Sequence, residues 1–239
     1  KMEPKGSRIG IVFNGSPLFT GDAGSGESEI RKYIIEKDLL ETIIMLPDKL
    51  FFNTGITTYI WILDNKKNKN RKEKIQLIDA KDFYNYSRVK LGEKSKEVSD
   101  EQILKILKIY EDFKDNQKSK IYKNDHFKYT KVTIDQYLKD SSGNIIKDKK
   151  GKPKIDKKKR DTERIPSDQE IEKYLIKEIK PHVDEYFHNK ELDKIGYEIS
   201  LTKEFYEYKN LRSPEEIKNE LIKLNDEIAT LEKDLWVPQ

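Results

Sequence analysis

The residue types that carry most enzyme chemistry are scarce in this 239-residue chain. It has no cysteine, which excludes a disulfide framework and a thiolate metal site. None of the three histidines is spaced as H-x-x-x-H, so we expect no metal centre. The histidines are His126, His182 and His188. The acids Asp79, Asp82 and Glu198 fit strand ends, caps and salt bridges better than general acids, because the sequence shows no paired carboxylates.

The glycine-rich segment TGDAGSGES, residues 20–28, is a candidate phosphate cradle. It lacks both a Lys-Ser or Lys-Thr ending and G-x-G-x-x-G spacing, which argues against nucleotide binding. The alternative is a mobile strand-to-helix connection whose two glutamates complement the dipole of the next helix. Such a connection would lie at the carboxyl ends of the strands of an α/β sheet, where ligands bind.

Positive charge is concentrated in residues 139–160, with ten basic residues against three acids, whereas the whole chain carries +4. Turn signals on both sides of an Ile-Ile pair predict an exposed β-ribbon or loop. A ribbon of this charge could follow DNA phosphates, and the candidate contacts are Lys149, Lys150, Lys152 and Lys154. A solubilising surface loop is the alternative, because no aromatic residue is interleaved to stack on bases.

Composition predicts one modest core with a heavily charged surface. Apolar residues make up 35% of the chain and charged residues 38%, where about 25% charged is usual. No apolar run approaches the roughly 20 residues of a membrane span, and no apolar segment follows the first charges as in a signal peptide. We therefore expect a cytoplasmic protein without a membrane segment.

Residues 8–65 predict the elements that would position a site. RIGIVFNG, a helical stretch, LETIIMLP and ITTYIWILDN follow one another with short connections, which indicates strand, helix, strand, strand. IQLID predicts a further strand. This order is typical of the closing edge of a doubly wound sheet, so we predict an α/β region over residues 1–92 that ends a larger domain.

Residues 93–239 are predicted to be mainly helical. A helix is expected from Ser99 to Phe113, a strand at YTKVTIDQYL leads into the ribbon at 139–160, and a helix after residue 165 should break at Pro181. A last helix, 214–235, carries apolar residues in alternating steps of four and three, which is a heptad seam. The seam residues are Ile217, Leu221, Leu224, Ile228, Leu231 and Leu235.

Several of these segments resemble the DNA-methylating (modification) subunit of type I restriction-modification systems. The similar segments are GIVFNGSPLF, EIRKYIIEKDLLETIIMLPDKLFFNTGITTYIWILDN, LIDAKDF, RDTERIP, YLIKEIKPHVDEYF and IGYEISLTKEFYEY, followed by the heptad helix. The resemblance implies the C-terminal part of a Rossmann-like S-adenosylmethionine-dependent sheet, followed by a mainly helical domain. It implies adenine-N6 methylation of duplex DNA together with a specificity subunit and a nuclease/translocase subunit.

The chain departs from that family in the parts that perform the transfer. It has neither the glycine-rich turn that binds S-adenosylmethionine nor the Asn-Pro-Pro-aromatic tetrapeptide that holds the target amine beside a flipped base. We therefore expect the chain to be a C-terminal portion of a longer subunit, inactive alone, with no catalytic residue of its own.

The resemblance also assigns FFNTG to one edge of the target-adenine pocket. Phe51 or Phe52 would pack against the flipped base, and Asn53 and Thr54 would bond to its polar edges or shape the turn. The alternative is that both rings are core and the turn only precedes a strand. We expect one phenylalanine in each role.

The heptad seam is interpreted as the docking face for the specificity subunit. Its competitor is packing on the chain's own helix near 168–187, which offers Ile171, Leu175, Ile176 and Ile179. Two further functions stay open for the chain as a whole. One is a nucleic-acid-binding module without catalysis, and the other is a helical assembly protein that oligomerises through the seam.

Overall fold

The structure is a computed structural model that describes residues 2–183, 185–208 and 211–235. It divides into two compact units, residues 1–205 and 206–239. The strands are β1 (Arg8–Phe13), β2 (Leu40–Met45), β3 (Tyr59–Asp64), β4 (Lys74–Asp79), β5 (Asn85–Leu91), β6 (Lys94–Glu97), β7 (Ser119–Lys123), β8 (Lys128–Asp135), β9 (Asp161–Pro166), β10 (Phe187–His188) and β11 (Lys194–Tyr197). The helices are α1 (Ser16–Phe19), α2 (Gly26–Glu36), α3 (Asp100–Asp112), α4 (Ile171–Tyr174), α5 (Leu201–Glu204) and α6 (Pro214–Leu235).

A five-stranded mixed sheet in the order β1-β3-β2-β4-β7 forms the centre of the first unit. Only β2 and β4 pair in parallel, and β3 runs antiparallel between β1 and β2. All six residues of β2 are buried, including the polar Glu41 and Thr42, so β2 lacks the alternating exposure of a strand with one solvated face. The directions of β1, β2 and β4 therefore agree, and their carboxyl ends lie at the same edge of the sheet.

Helices cover both faces of this sheet. On one face, Ile35 of α2 packs with Ile43, Trp61 and Leu77, and on the other face Ile106 of α3 packs with residues of β2 and β4. The helix α3 begins after Ser99 with a capping box formed with Gln102. The predicted strands β1 to β4 and the predicted α3 are confirmed to within about three residues at each end.

The region 93–205 is not mainly helical, which corrects the expectation from sequence. It contains β6 to β11, and β8 pairs with β9 on one side and with β10 and β11 on the other. Segments such as DTERIP and KIGY hold few apolar residues, so pairing to the buried strand β8 makes them strands. The expected boundary at residue 92 also falls inside the β5–β6 hairpin.

The segment from Tyr137 to Arg160 differs from a two-stranded ribbon. It is a chain of three tight turns joined by isolated backbone bridges, and we call residues 137–160 the triple-turn loop. It connects β8 to β9, whose pairing begins at Ile134 and Asp161.

The helix expected after residue 165 is shorter than its apolar pattern indicates. Four residues of α4 continue into one π-helical turn over Leu175–Ile179, which ends before Pro181. Its Ile171, Leu175 and Ile179 pack on Val132 of β8 in a third apolar cluster. These three side chains therefore pack within the first unit, whereas Ile176 is 59% exposed.

The second unit is described by its helix α6. Ser213 caps it through its Oγ, which accepts from Glu216 N at 3.2 Å, while Glu216 accepts from Ser213 N at 2.8 Å. The first five seam residues are each 40–63% exposed. The side chain of Leu235, the sixth, lies outside the described residues.

No helix among the described residues is both long and apolar enough to cross a membrane.

Candidate functional site

The carboxyl edge of the five-stranded sheet collects the loop that carries FFNTG. This loop, residues 46–58, joins the end of β2 to the start of β3. The ring of Tyr59 lies 3.4 Å from the position that a Cβ atom on Gly15 would take, so the start of β3 meets the segment that follows β1. Ligands of open α/β sheets bind at such an edge.

Both phenylalanines of the loop face solvent. Phe51 is 39% exposed and Phe52 is 55% exposed, so the expectation that one of them belongs to the core is wrong. Phe51 and Thr54 form an antiparallel bridge that closes a tight turn around Asn53, which is exposed. Two apolar rings held at the surface by a closed turn are available to an incoming planar group.

The β5–β6 hairpin holds this loop in place. Glu93 N donates to Phe52 O at 3.0 Å, and Lys94 Nζ lies 5.1 Å from the centre of the Phe52 ring. A Cβ atom on Gly92 would lie 2.6 Å from Phe52 O, and Gly92 has a φ of +61°. Only glycine fits this close approach without strain. The sequence pattern did not single out Gly92.

The carboxylates at the same edge have structural partners. Asp79 is buried, and its carboxylate accepts from Lys81 N at 3.1 Å and lies 3.0 Å from Lys81 Nζ. Asp82 pairs with Lys118 Nζ at 2.6 Å. Burial first, and then the charge of Asp79, raises the pKa of Tyr59, whose hydroxyl stays protonated at neutral pH. These contacts confirm the expectation that Asp79 and Asp82 are salt-bridge and turn residues. Glu198 is a salt-bridge residue as well, because its carboxylate lies 2.7 Å from Arg164.

The glycine-rich segment TGDAGSGES is organised by a buried arginine rather than as a phosphate cradle. Arg31 of α2 donates to Thr20 O at 2.7 Å, to Pro17 O at 3.0 Å and, across the unit, to Tyr197 O at 2.7 Å. Ser25 caps α2 by accepting from Ser28 N. The segment thus turns carbonyl groups toward a cation, the opposite polarity from an anion site. The sequence did not predict this role of Arg31, since a lone arginine in an amphipathic helix carries no pattern.

The described residues contain no cluster of three or more histidine, aspartate or glutamate side chains that could hold a metal ion. His126 Nε2 lies 3.1 Å from Glu204, and His188 Nε2 lies 2.8 Å from Asp193. Both histidines therefore have single carboxylate partners.

The candidate DNA contacts lie elsewhere, in the triple-turn loop. Lys149, Lys150, Lys152 and Lys154 are all exposed. The structure brings these four together in one loop but assigns them no ligand.

A family model described as N-6 DNA methylase matches residues 1–142. The MjaVII and MjaVIII methylase subunits of type I restriction enzymes from Methanocaldococcus jannaschii are 38% and 40% identical over 109 residues, 45% of this chain and 18% of each relative. A solved type I restriction-modification methyltransferase subunit from Streptococcus thermophilus is 30% identical, with 49% of this chain and 23% of that chain covered and a TM-score of 0.42. The chain thus spans about a fifth of the length of the curated relatives it matches.

Proposed function

The chain belongs to the N-6 DNA methylase family, and from this premise we propose that it is part of an adenine-N6 methyltransferase subunit of a type I restriction-modification system. In this proposal the five-stranded sheet of the chain is the later part of the Rossmann-like methyltransferase sheet. A specificity subunit, a nuclease/translocase subunit and duplex DNA are the proposed partners. The type I methylase relatives support this assignment.

One observation carries the proposal: the exposed rings of Phe51 and Phe52 at the carboxyl edge of the sheet. A base methylated within a duplex must leave the stack, and its flipped form binds between apolar or aromatic side chains. The two rings supply that surface, while Asn53 and Thr54 lie beside them to meet polar base edges. The β5–β6 hairpin fixes the loop before the base arrives, which lowers the entropy cost of binding.

S-adenosylmethionine supplies the methyl group in such a reaction, but the residues of this chain do not build a site for it. The glycine-rich segment directs the carbonyl groups of Thr20 and Gly21 to Arg31, and its sequence lacks G-x-G-x-x-G spacing. No Asn-Pro-Pro-aromatic tetrapeptide is present either. We therefore assign donor binding and the transfer step to residues outside this chain, and infer that the chain alone is inactive.

A non-catalytic nucleic-acid-binding module is the second candidate function. The unpaired lysines of the triple-turn loop favour it, since they suffice for binding without any transfer chemistry. The two candidates differ in whether the FFNTG loop matters for methylation.

The test is methyl transfer by the complete subunit, reconstituted with its specificity subunit and saturated with duplex DNA. Phe52→Ala should lose base stacking of about 1–3 kcal/mol, which corresponds to roughly five- to 150-fold in turnover. Tyr33→Ala, which removes a ring that is 60% exposed on α2, is the matched control and should leave turnover unchanged. Equal rates for parent and Phe52→Ala would contradict the proposed pocket. A collapse of the melting temperature would instead identify Phe52 as a core residue.

A further inference from the structure

The triple-turn loop is built from an eight-residue repeat. Asp140, Asp148 and Asp156 each begin a turn, and the Oδ1 of each accepts the backbone N–H two residues later, at 2.9, 2.8 and 3.0 Å. This local bond is typical of an aspartate that begins a turn. In the first two turns Gly143 and Gly151 follow three residues after the aspartate, with φ values of +84° and +79°.

A closed ring of backbone hydrogen bonds joins the three turns. Leu138 N donates to Lys154 O at 2.8 Å, Lys154 N to Ile146 O at 2.9 Å, and Ile146 N to Leu138 O at 2.8 Å. The three residues are eight positions apart, so each turn contributes one equivalent position to the ring. The loop therefore has a frame of its own, although it buries little apolar surface.

At its base, the frame is fixed to the sheet formed by β8, β9, β10 and β11. Buried Asp135, at the end of β8, accepts from Arg160 Nε at 2.7 Å and from Arg160 Nη2 at 2.9 Å. The ring of Tyr137 stacks on Phe187 with 4.9 Å between centres, and Lys139 Nζ pairs with Glu185 at 2.6 Å. Two of the ten basic residues thus serve as anchors.

The other eight basic residues are lysines that point charge into solvent. They are Lys147, Lys149, Lys150, Lys152, Lys154, Lys157, Lys158 and Lys159. Within the triple-turn loop, all of which the structure describes, none of the eight has a carboxylate at salt-bridge distance. The three aspartates, which are the acids of this loop, accept bonds from backbone N–H groups instead.

We infer that the triple-turn loop is a binding site for the phosphate backbone of duplex DNA, separate from the FFNTG loop. Lys149 and Lys150 occupy the two positions after Asp148, and Lys157 and Lys158 occupy the same positions after Asp156. Two turns of one frame thus present equivalent cationic pairs at a fixed separation, which suits a repeating line of phosphates. The loop's one aromatic ring, Tyr137, is stacked on Phe187, so the surface offers charge without a platform for single-strand bases.

This inference rests on the proposed function, because DNA is the partner proposed there, and it adds where the backbone is held. A preorganised cationic frame outside the pocket would raise the affinity for any sequence, while recognition of the site is left to other residues.

The test is the salt dependence of binding between the 239-residue chain and a labelled duplex of mixed sequence, followed by fluorescence anisotropy. Lys149→Gln with Lys150→Gln should reduce the slope of log K against log salt by about two, since each phosphate contact contributes about 0.9. The matched control is Lys173→Gln with Lys177→Gln, which removes two exposed lysines already paired with Glu170 and Glu178. That variant should keep the parent slope.

The first turn provides a test by gain of charge. It has Ser141 and Ser142 where the other turns have lysine pairs, so Ser141→Lys with Ser142→Lys should steepen the slope. All these positions are exposed, and circular dichroism should remain that of the parent.

Equal slopes for the loop variant and the control, or tighter binding of a single strand than of the duplex, would overturn the inference. Its failure is distinguishable from failure of the proposed function. Loss of the loop lysines acts on DNA affinity, whereas Phe52→Ala acts on turnover at saturating DNA. A complete subunit that binds through the loop but does not methylate would contradict the proposed function and leave the loop assignment standing.

Discussion

The ring of Phe52 is available to a ligand because its backbone is held by a hydrogen bond while its side chain, approached by Lys94 Nζ, stays largely exposed. Its carbonyl accepts from Glu93 N, and the ring remains more than half exposed. An aromatic side chain of this size is normally withdrawn from water when the fold allows it. The position of the Phe52 backbone therefore depends on Gly92, where an added Cβ atom would lie 2.6 Å from the Phe52 carbonyl oxygen.

Gly92→Ala should destabilise the chain by more than the strain of a left-handed residue alone, which is about 1 kcal/mol. The added Cβ atom would meet the carbonyl oxygen of Phe52 at 2.6 Å, so the loop or the hairpin must move. Gly143→Ala is the control, because Gly143 also has a positive φ but open space around its Cβ position. Thermal melting of the two variants checks this, and equal losses would show that the close approach carries no cost.

At the scale of elements, the sequence predicted what local pattern determines. The strands β1 to β4 are short runs rich in apolar residues, and the helix α3 has apolar residues at helical spacing behind a capping box. The sequence therefore predicted the positions of these five elements. The positions of β9 and β11 could not be predicted in this way, because these segments hold few apolar residues and form strands by pairing with β8. The turn signals of residues 139–160 predicted an exposed β-ribbon or loop, and the structure has the loop, whose eight-residue aspartate repeat was not predicted.

The FFNTG loop shows the same division. Its sequence indicated a turn and its resemblance indicated a pocket, but neither revealed that both rings are exposed or that a hairpin holds them. Contacts between Phe52 and residues about 40 positions later are long-range, and no local propensity encodes them. Arg31 is a second case, since its partners come from α1, the loop after it and β11.

The helix α6 is predicted to dock the specificity subunit. Leu224→Asp with Ile228→Asp should abolish co-purification, because two charges would be buried in the middle of the seam without partners. Both residues are about half exposed in this chain, so its circular dichroism and melting temperature should not change. Ile222→Asp with Ala229→Asp adds the same charge beside the seam and should preserve the complex. Unfolding of the seam variant would place the seam in an internal core. Continued assembly would show that the seam does not dock the specificity subunit.

At the scale of the whole molecule, the chain supplies surfaces rather than a complete reaction centre. The described residues hold a positioned aromatic edge and a cationic loop, both with DNA as the proposed partner, and an apolar helix face proposed to bind the specificity subunit. The proposed function assigns donor binding to residues outside this chain, because the glycine-rich segment directs the carbonyl groups of Thr20 and Gly21 to Arg31. The chain is therefore proposed to act inside an assembly in which different segments bind the methyl donor, hold the flipped base and recognise the DNA sequence.

The isolated chain should not bind S-adenosylmethionine. Calorimetric titration with the cofactor at millimolar concentration should give only heats of dilution, since no preorganised donor site is present to offset the loss of translational freedom. Saturable binding in the micromolar range would contradict the assignment of the donor site to residues outside this chain.

Contact between Phe52 and the flipped base can be measured with 2-aminopurine in place of the methylatable adenine of the recognised duplex. An aromatic ring stacked on the flipped analogue quenches its fluorescence. In the complete subunit, Phe52→Ala should raise the fluorescence of the bound duplex at unchanged DNA occupancy, while Tyr33→Ala should give the parent signal. The same fluorescence in parent and Phe52→Ala would show that the ring does not contact the base.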